Sequence, residues 1–122
     1  VLRLATDSPN AFANSCWARA VAATDLDFAL TLCIRSGEMH PSLDAFDAKG
    51  FVHFRRGEFI EAIKAYDASI RLRPSGSSYF MRGVCKSRLG QAEAGLADIR
   101  KGEKKDPEVR ARYQRFGVNL PA

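Results

Sequence analysis

The stretch from Ala45 to Pro74, AFDAKGFVHFRRGEFIEAIKAYDASIRLRP, decides how the rest of the chain is read. Its first part, Ala45 to Arg56, sets Phe46, Gly50, His53 and Phe54 at helical spacings, and Gly57 supplies the break that ends a helix. The apolar positions then resume as Phe59, Ala62, Ile63, Tyr66 and Ile70. They stop at Pro74, whose missing N–H and ring sterics close a second helix. The unit is a helical hairpin.

A step of 33 residues in either direction finds the hairpin again. Pro41, Pro74 and Pro107 recur at that interval, Gly50 falls on Gly83, Gly57 falls on Gly90, and Ala29, Ala62 and Gly95 share one column. Leu26, Phe59 and Ala92 align, as do Leu30, Ile63 and Leu96, and Cys33, Tyr66 and Ile99. No stretch alternates in the way a strand requires. The chain therefore reads as all-α, with three antiparallel helix pairs stacked on one another. The expected divisions are a leader over 1–9, repeats over 10–42, 43–75 and 76–108, and a capping helix with its tail over 109–122. In that last segment Val109, Tyr113 and Phe116 share a face ringed by Arg110, Arg112 and Arg115, as suits a lid over the final repeat.

This pattern resembles the tetratricopeptide repeat family. The second repeat carries the match in Phe46, Lys49-Gly50, His53, Ala62, Tyr66 and Pro74, and the third in Tyr79, Arg82-Gly83, Lys86, Gly95, Ile99 and Pro107. The first departs most, with Ala13, Trp17 and Ala20 in the bulky, small and aromatic columns, although Ala29 and Pro41 hold. Gly95 and Gly102 lower helix propensity by about 1 kcal/mol each relative to Ala, which predicts a looser final hairpin. The resemblance covers residues 10–108. It implies a short right-handed solenoid and a scaffold or adaptor whose first helices line a groove for a peptide or helix of another protein.

Counted from the helix starts, the groove positions include Asn14, Ala18, Val21, Asp44, Asp47, Ala48, Phe51, Phe54, Arg55, Phe80, Met81, Val84, Ser87 and Arg88. The binding residues expected among them are Asn14, Ala18, Asp47, Phe51, Phe54, Arg55, Phe80, Met81, Val84 and Arg88. The aromatic and aliphatic ones form an apolar centre bordered by the two arginines. On that reading Phe51→Ala with Phe80→Ala weakens partner capture and leaves helicity intact. The competing reading is that the terminal helix folds over some of these side chains. One subclass of the family grips a terminal carboxylate with Lys, Asn and Arg, but the corresponding residues here are Asn14, Ala18, Ala48, Ser77 and Met81, and that clamp is missing.

The chain of 122 residues, 46% hydrophobic and 27% charged, suits one ordinary folded unit rather than a disordered or fibrous chain. No apolar run approaches the ~18 residues of a membrane span, and the opening Val1-Leu2-Arg3-Leu4 has no export-signal pattern. A start at Val rather than Met reads as a piece of a longer chain. The net charge of +5 is uneven, because residues 1–70 carry seven basic and nine acidic groups and residues 71–122 carry twelve and five. Arg100, Lys101, Lys104 and Lys105, followed by Arg110, Arg112 and Arg115, could attract RNA or an acidic partner. Glu103, Asp106 and Glu108 dilute that field, and a solvated face is the preferred reading. A homo-oligomerising assembly domain is the other alternative.

His53 and His40 have no nucleophile or carboxylate partner evident, and no catalytic or phosphate-cradling motif occurs, so no enzyme activity is expected. Cys16, Cys33 and Cys85 do not supply zinc spacing. No cofactor or metal is expected. The expected partner is a protein, with no nucleic acid and no membrane. Cys16 and Cys33 fall on facing helices of one hairpin, where a disulfide is conceivable. Two buried free thiols in a reducing compartment are the preferred reading, which tilts localisation toward the cytoplasm.

Overall fold

A computed structural model describes residues 8–120. Among them are seven helices: α1 (Pro9–Ala22), α2 (Leu26–Met39), α3 (Leu43–Arg55), α4 (Phe59–Leu72), α5 (Gly76–Arg88), α6 (Ala92–Lys105) and α7 (Val109–Arg115). No strand occurs among the described residues. Successive helices pair as α1–α2, α3–α4 and α5–α6, and α1, α3 and α5 neighbour one another in order. The fold is all-α, a solenoid of stacked helix pairs.

Serine capping starts the first helix of every pair. The Ser8, Ser42 and Ser75 hydroxyls accept from the amides of Ala11, Ala45 and Ser78 at 3.0, 3.1 and 3.2 Å, satisfying donors that a helix start leaves open. These helices begin two or three residues earlier than apolar spacing alone indicates. Ser8 and Pro9, assigned to the leader, belong to the start of α1, and the leader's residues 1–7 lie outside the described residues. At the hairpin turns Gly57 and Gly90 take positive φ of 76° and 85°. The first turn has no glycine, and Ala23 (φ 56°) and Asp25 (φ 48°) adopt that conformation instead. A Cβ is disfavoured there by roughly 1 kcal/mol. Ala23→Gly should therefore raise the urea midpoint, by an amount equivalent to at most about 1 kcal/mol.

Two pairings set the helix approaches. At Gly50 an added Cβ would stand 2.7 Å from Cζ of Tyr66, a ring with no exposed surface. In the third pair the backbones themselves meet, since a Cβ on Gly83 would lie 2.5 Å from the Gly95 carbonyl and one on Gly102 would lie 2.6 Å from the Phe80 nitrogen. The expectation of a looser final hairpin is thus corrected. Gly95 and Gly102 reduce helix propensity, but they let α5 and α6 pack more closely than any side chain would allow. Arg82 then ties three helices together, reaching Asp98 through Nε at 2.8 Å and Asp67 through Nη1 at 3.0 Å, while Lys86 Nζ lies 2.8 Å from Asp98.

The first pair uses different chemistry. Cys16 and Cys33 form a disulfide between α1 and α2, across a Cα–Cα distance of 5.6 Å. This corrects the preference for two free thiols and withdraws the argument for a reducing compartment built on them. With Trp17 in the column held by Gly50 and Gly83, α1 cannot receive a large ring from α2. A short disulfide side chain spans the interface where Tyr66 fills the second pair. Cys85 remains free and buried, and burial pushes its thiol up to about 12, which makes it a poor nucleophile.

Candidate functional site

The apolar centre of the α1–α3–α5 layer comes together as the sequence suggested. Phe51 and Phe54 stack at 5.9 Å between ring centroids, the Arg55 guanidinium lies 4.5 Å from the Phe51 ring, and that of Arg88 lies 5.3 Å from Phe54. Phe51, Phe80, Met81 and Val84 have no exposed surface, however, and Phe54 retains 8%. The expectation of an open apolar patch does not hold at these five positions. The cover over Phe51 and Phe80 is the chain's own C-terminal segment, the competing reading.

That cover is specific. The Tyr113 ring packs 5.5 Å from Phe51 and 5.9 Å from Phe80, and Phe116 lies 6.2 Å from Phe51. Trp17 closes the cluster at 5.3 Å from Phe51 and 5.7 Å from Phe116. Such aromatic pairs contribute about 0.5–1.5 kcal/mol each beyond the area they bury. Backbone contacts continue along the tail. Arg55 Nη2 donates to the Phe116 carbonyl, Arg88 Nη2 donates to the Asn119 carbonyl at 2.6 Å, and Val118 is 1% exposed. Arg55 also donates through Nε to the Ala20 carbonyl at 2.8 Å and through Nη2 to the Val21 carbonyl at 3.1 Å, placing a cation on the last turn of α1.

One end of the layer stays open. Asn14 and Ala18 are exposed on α1, and Asp44 is exposed on α3. Ala13, Asn14, Trp17, Asp44, Asp47, Ser77, Arg112 and Tyr113 line a cavity of about 260 Å3 beside them. Of the ten expected binding residues, this cavity gathers Asn14 and Asp47. Its aromatic walls were not anticipated. The repeat period places Trp17 in a packing column and Tyr113 in the lid.

Asp47 is the perturbed group of the cavity. Burial first, opposed by the Ser69 hydroxyl and reinforced by the like charge of Asp44, pushes its carboxyl from an ordinary 3.8 up to about 6. Its Oδ1 is buried and accepts no hydrogen bond, and the buried Ser69 Oγ and Tyr66 hydroxyl are also unpartnered. Ser69 thus lies beside the carboxyl without a well-aligned bond. An acid raised in this way costs the fold progressively as pH climbs from about 4 through 6. The cavity therefore holds a carboxylate at the expense of stability.

The basic cluster is partly consumed inside the molecule. Arg110 pairs with Glu103 through Nε at 2.8 Å, Arg112 pairs with Asp106, and the Lys101 ammonium lies 4.7 Å from the Tyr79 ring centroid. Arg100, Lys104, Lys105 and Arg115 remain exposed. His53 is buried, with its Nδ1 2.8 Å from Glu58 Oε1 across the α3–α4 turn. Among the described residues no three His, Cys, Asp or Glu side chains converge as a metal site would need, and no helix is long and apolar enough to cross a membrane.

No family model matches the chain. Over 71 residues, 57% of its length, it is 36% identical to the Hsp70-Hsp90 organizing protein of Triticum aestivum, a protein that contains tetratricopeptide repeats. The chain spans 12% of that relative's length. The likeness is to a part of an organizing protein.

Proposed function

We propose that the chain is a non-enzymatic protein-interaction module of the tetratricopeptide type, a scaffold or adaptor unit whose α1–α3–α5 layer binds an extended segment of another protein. The observation that carries this reading is that the layer already holds a segment of the chain's own tail, the turn at 116–117 and the non-helical residues after it. Arg55 and Arg88 grip the carbonyls of Phe116 and Asn119, and such side-chain-to-backbone bonds secure a chain regardless of its sequence. Asn14, Ala18 and Asp47 are the contacts open to a partner. Phe51, Phe54, Phe80, Met81 and Val84 form the floor that holds the layer and the cap in place. Capture of a terminal carboxylate is disfavoured, because the open end presents Asp44 and Asp47 where fixed cations would be needed.

A random linear peptide library, selected on the full chain, tests the reading. Enriched peptides should bind the wild type and lose at least about tenfold in affinity to Ala18→Phe, which fills the open end without touching the core. No enrichment, or peptides indifferent to Ala18→Phe, would refute it.

A further inference from the structure

The cavity at the open end has a charge and shape that specify more than a generic peptide contact. Two carboxylates, Asp44 and Asp47, face it with the rings of Trp17 and Tyr113 and the Asn14 amide. Neither carboxylate takes part in an ion pair among the described residues. The one cation in the lining is committed elsewhere, since Arg112 donates to Ser77 Oγ at 3.2 Å and to Asp106 Oδ2. A buried carboxylate oxygen without a donor is costly, and native folds rarely leave one unless something else supplies the donor. Behind it the Tyr66 and Ser69 hydroxyls are fully buried, and Ser69 offsets only part of the cost of the buried charge.

We propose that this cavity is a subsite for a basic side chain of the bound protein segment, an arginine guanidinium ahead of a lysine ammonium, received by Asp47 with Asp44 and walled by Trp17 and Tyr113. The inference deepens the interaction reading and rests on it. A guanidinium offers planar donors to a carboxylate and a face to aromatic rings, whereas an ammonium offers only a point charge. An anionic group is repelled by the two carboxylates. A metal ion lacks a third ligand of the His, Cys, Asp or Glu type among the described residues. The groups around Asp47 are Asp44 on its own helix, Asn14 and Trp17 on α1, Tyr66 and Ser69 on α4, Ser77 on α5, and Arg112 and Tyr113 on α7. Because burial holds Asp47 up to about 6, capture of a cation should strengthen as pH rises through that value.

The test is a nitrogen-15 NMR titration of the full chain with Nα-acetyl-arginine N-methylamide, beside its neutral isostere Nα-acetyl-citrulline N-methylamide. The arginine probe should shift the amides of Asn14, Trp17, Asp47 and Tyr113, and the citrulline probe should bind at least about tenfold more weakly. Asp47→Asn should abolish the arginine response and raise Tm at neutral pH, because the unpaired carboxylate is gone. A generic packing role for Asp47 would not produce that opposed pair of changes. Should Asp47→Asn fail to fold, Asp44→Asn on an exposed side chain must still weaken the response. Equal response to the two probes, shifts confined to other surfaces, no shift up to the solubility limit, or an undiminished response in the variants would overturn the proposal. If library peptides bind at Ala18 but show no dependence on Arg or Lys, the interaction reading stands and the cation subsite falls.

Discussion

Replacing both Phe51 and Phe80 by alanine should unfold the domain. Neither ring has any exposed surface, and both pack on Tyr113 from the cap. Phe51 also packs against Trp17, Phe54 and Phe116. Truncating a buried Phe to Ala typically costs about 3–5 kcal/mol, so the pair costs about 6–10 kcal/mol before allowance for the shared contact with Tyr113. Domains of this size have about 5–15 kcal/mol in total. The expected result is loss of the far-UV helical signal at room temperature, or a urea midpoint near zero. The reading of these rings as an open binding patch predicts retained helicity for the same variant. A wild-type urea midpoint would therefore remove the covered groove from the account.

Gly83→Ala should destabilise strongly, although alanine is the better helix former. The new Cβ would lie 2.5 Å from the Gly95 carbonyl oxygen and 2.7 Å from the Ile99 nitrogen, and both of these atoms belong to the α6 backbone. Backbone cannot swing aside as a flexible side chain can, so α5 and α6 must separate, stretching the Arg82–Asp98 and Lys86–Asp98 pairs that span them. Overpacking of this kind costs about 1–3 kcal/mol and at times more. The propensity gain of about 1 kcal/mol offsets part of it. Gly37→Ala is the internal control, since nothing lies within 4 Å of its added Cβ on α2. There the propensity gain acts alone, by at most about 1 kcal/mol. Urea titration of both variants should show midpoints moving in opposite directions. A shift of the same sign in both would mean that close approach at Gly83 does not limit the packing.

These glycines show where reading along the chain succeeds and where it stops. The 33-residue period was legible because Pro41, Pro74 and Pro107 close each hairpin and Gly57 and Gly90 mark the turns of the second and third. Helix starts were less legible, since apolar spacing begins only after the first turn. The signal was there in Ser42 and Ser75, each following a proline, and in Ser8, which precedes one. Gly95 and Gly102 misled because propensity is a property of one helix and close approach is a property of two. Trp17 illustrates a related limit: the period assigns its column but not the partners its ring finds. For the site, the floor residues were found together with their bordering arginines. Their cover depended on where Tyr113 and Phe116 land, a contact more than sixty residues away from Phe51 in sequence. The acidic cavity was half legible. Asn14, Asp44 and Asp47 were placed on the groove by counting, but the aromatic walls come from two segments whose meeting no local pattern announces.

The central claim is that the C-terminal segment covers the floor of the layer and leaves its acidic end as the point of entry. Trp17 is the sole tryptophan of the chain and stands at that boundary, with Phe116 on one side and the cavity on the other. Its fluorescence in Phe116→Ala, recorded alongside far-UV circular dichroism, tests the claim most directly. The account predicts a red-shifted emission at retained helical signal, because losing the Phe116 ring opens Trp17 to water. An emission maximum identical to that of the wild type would contradict it.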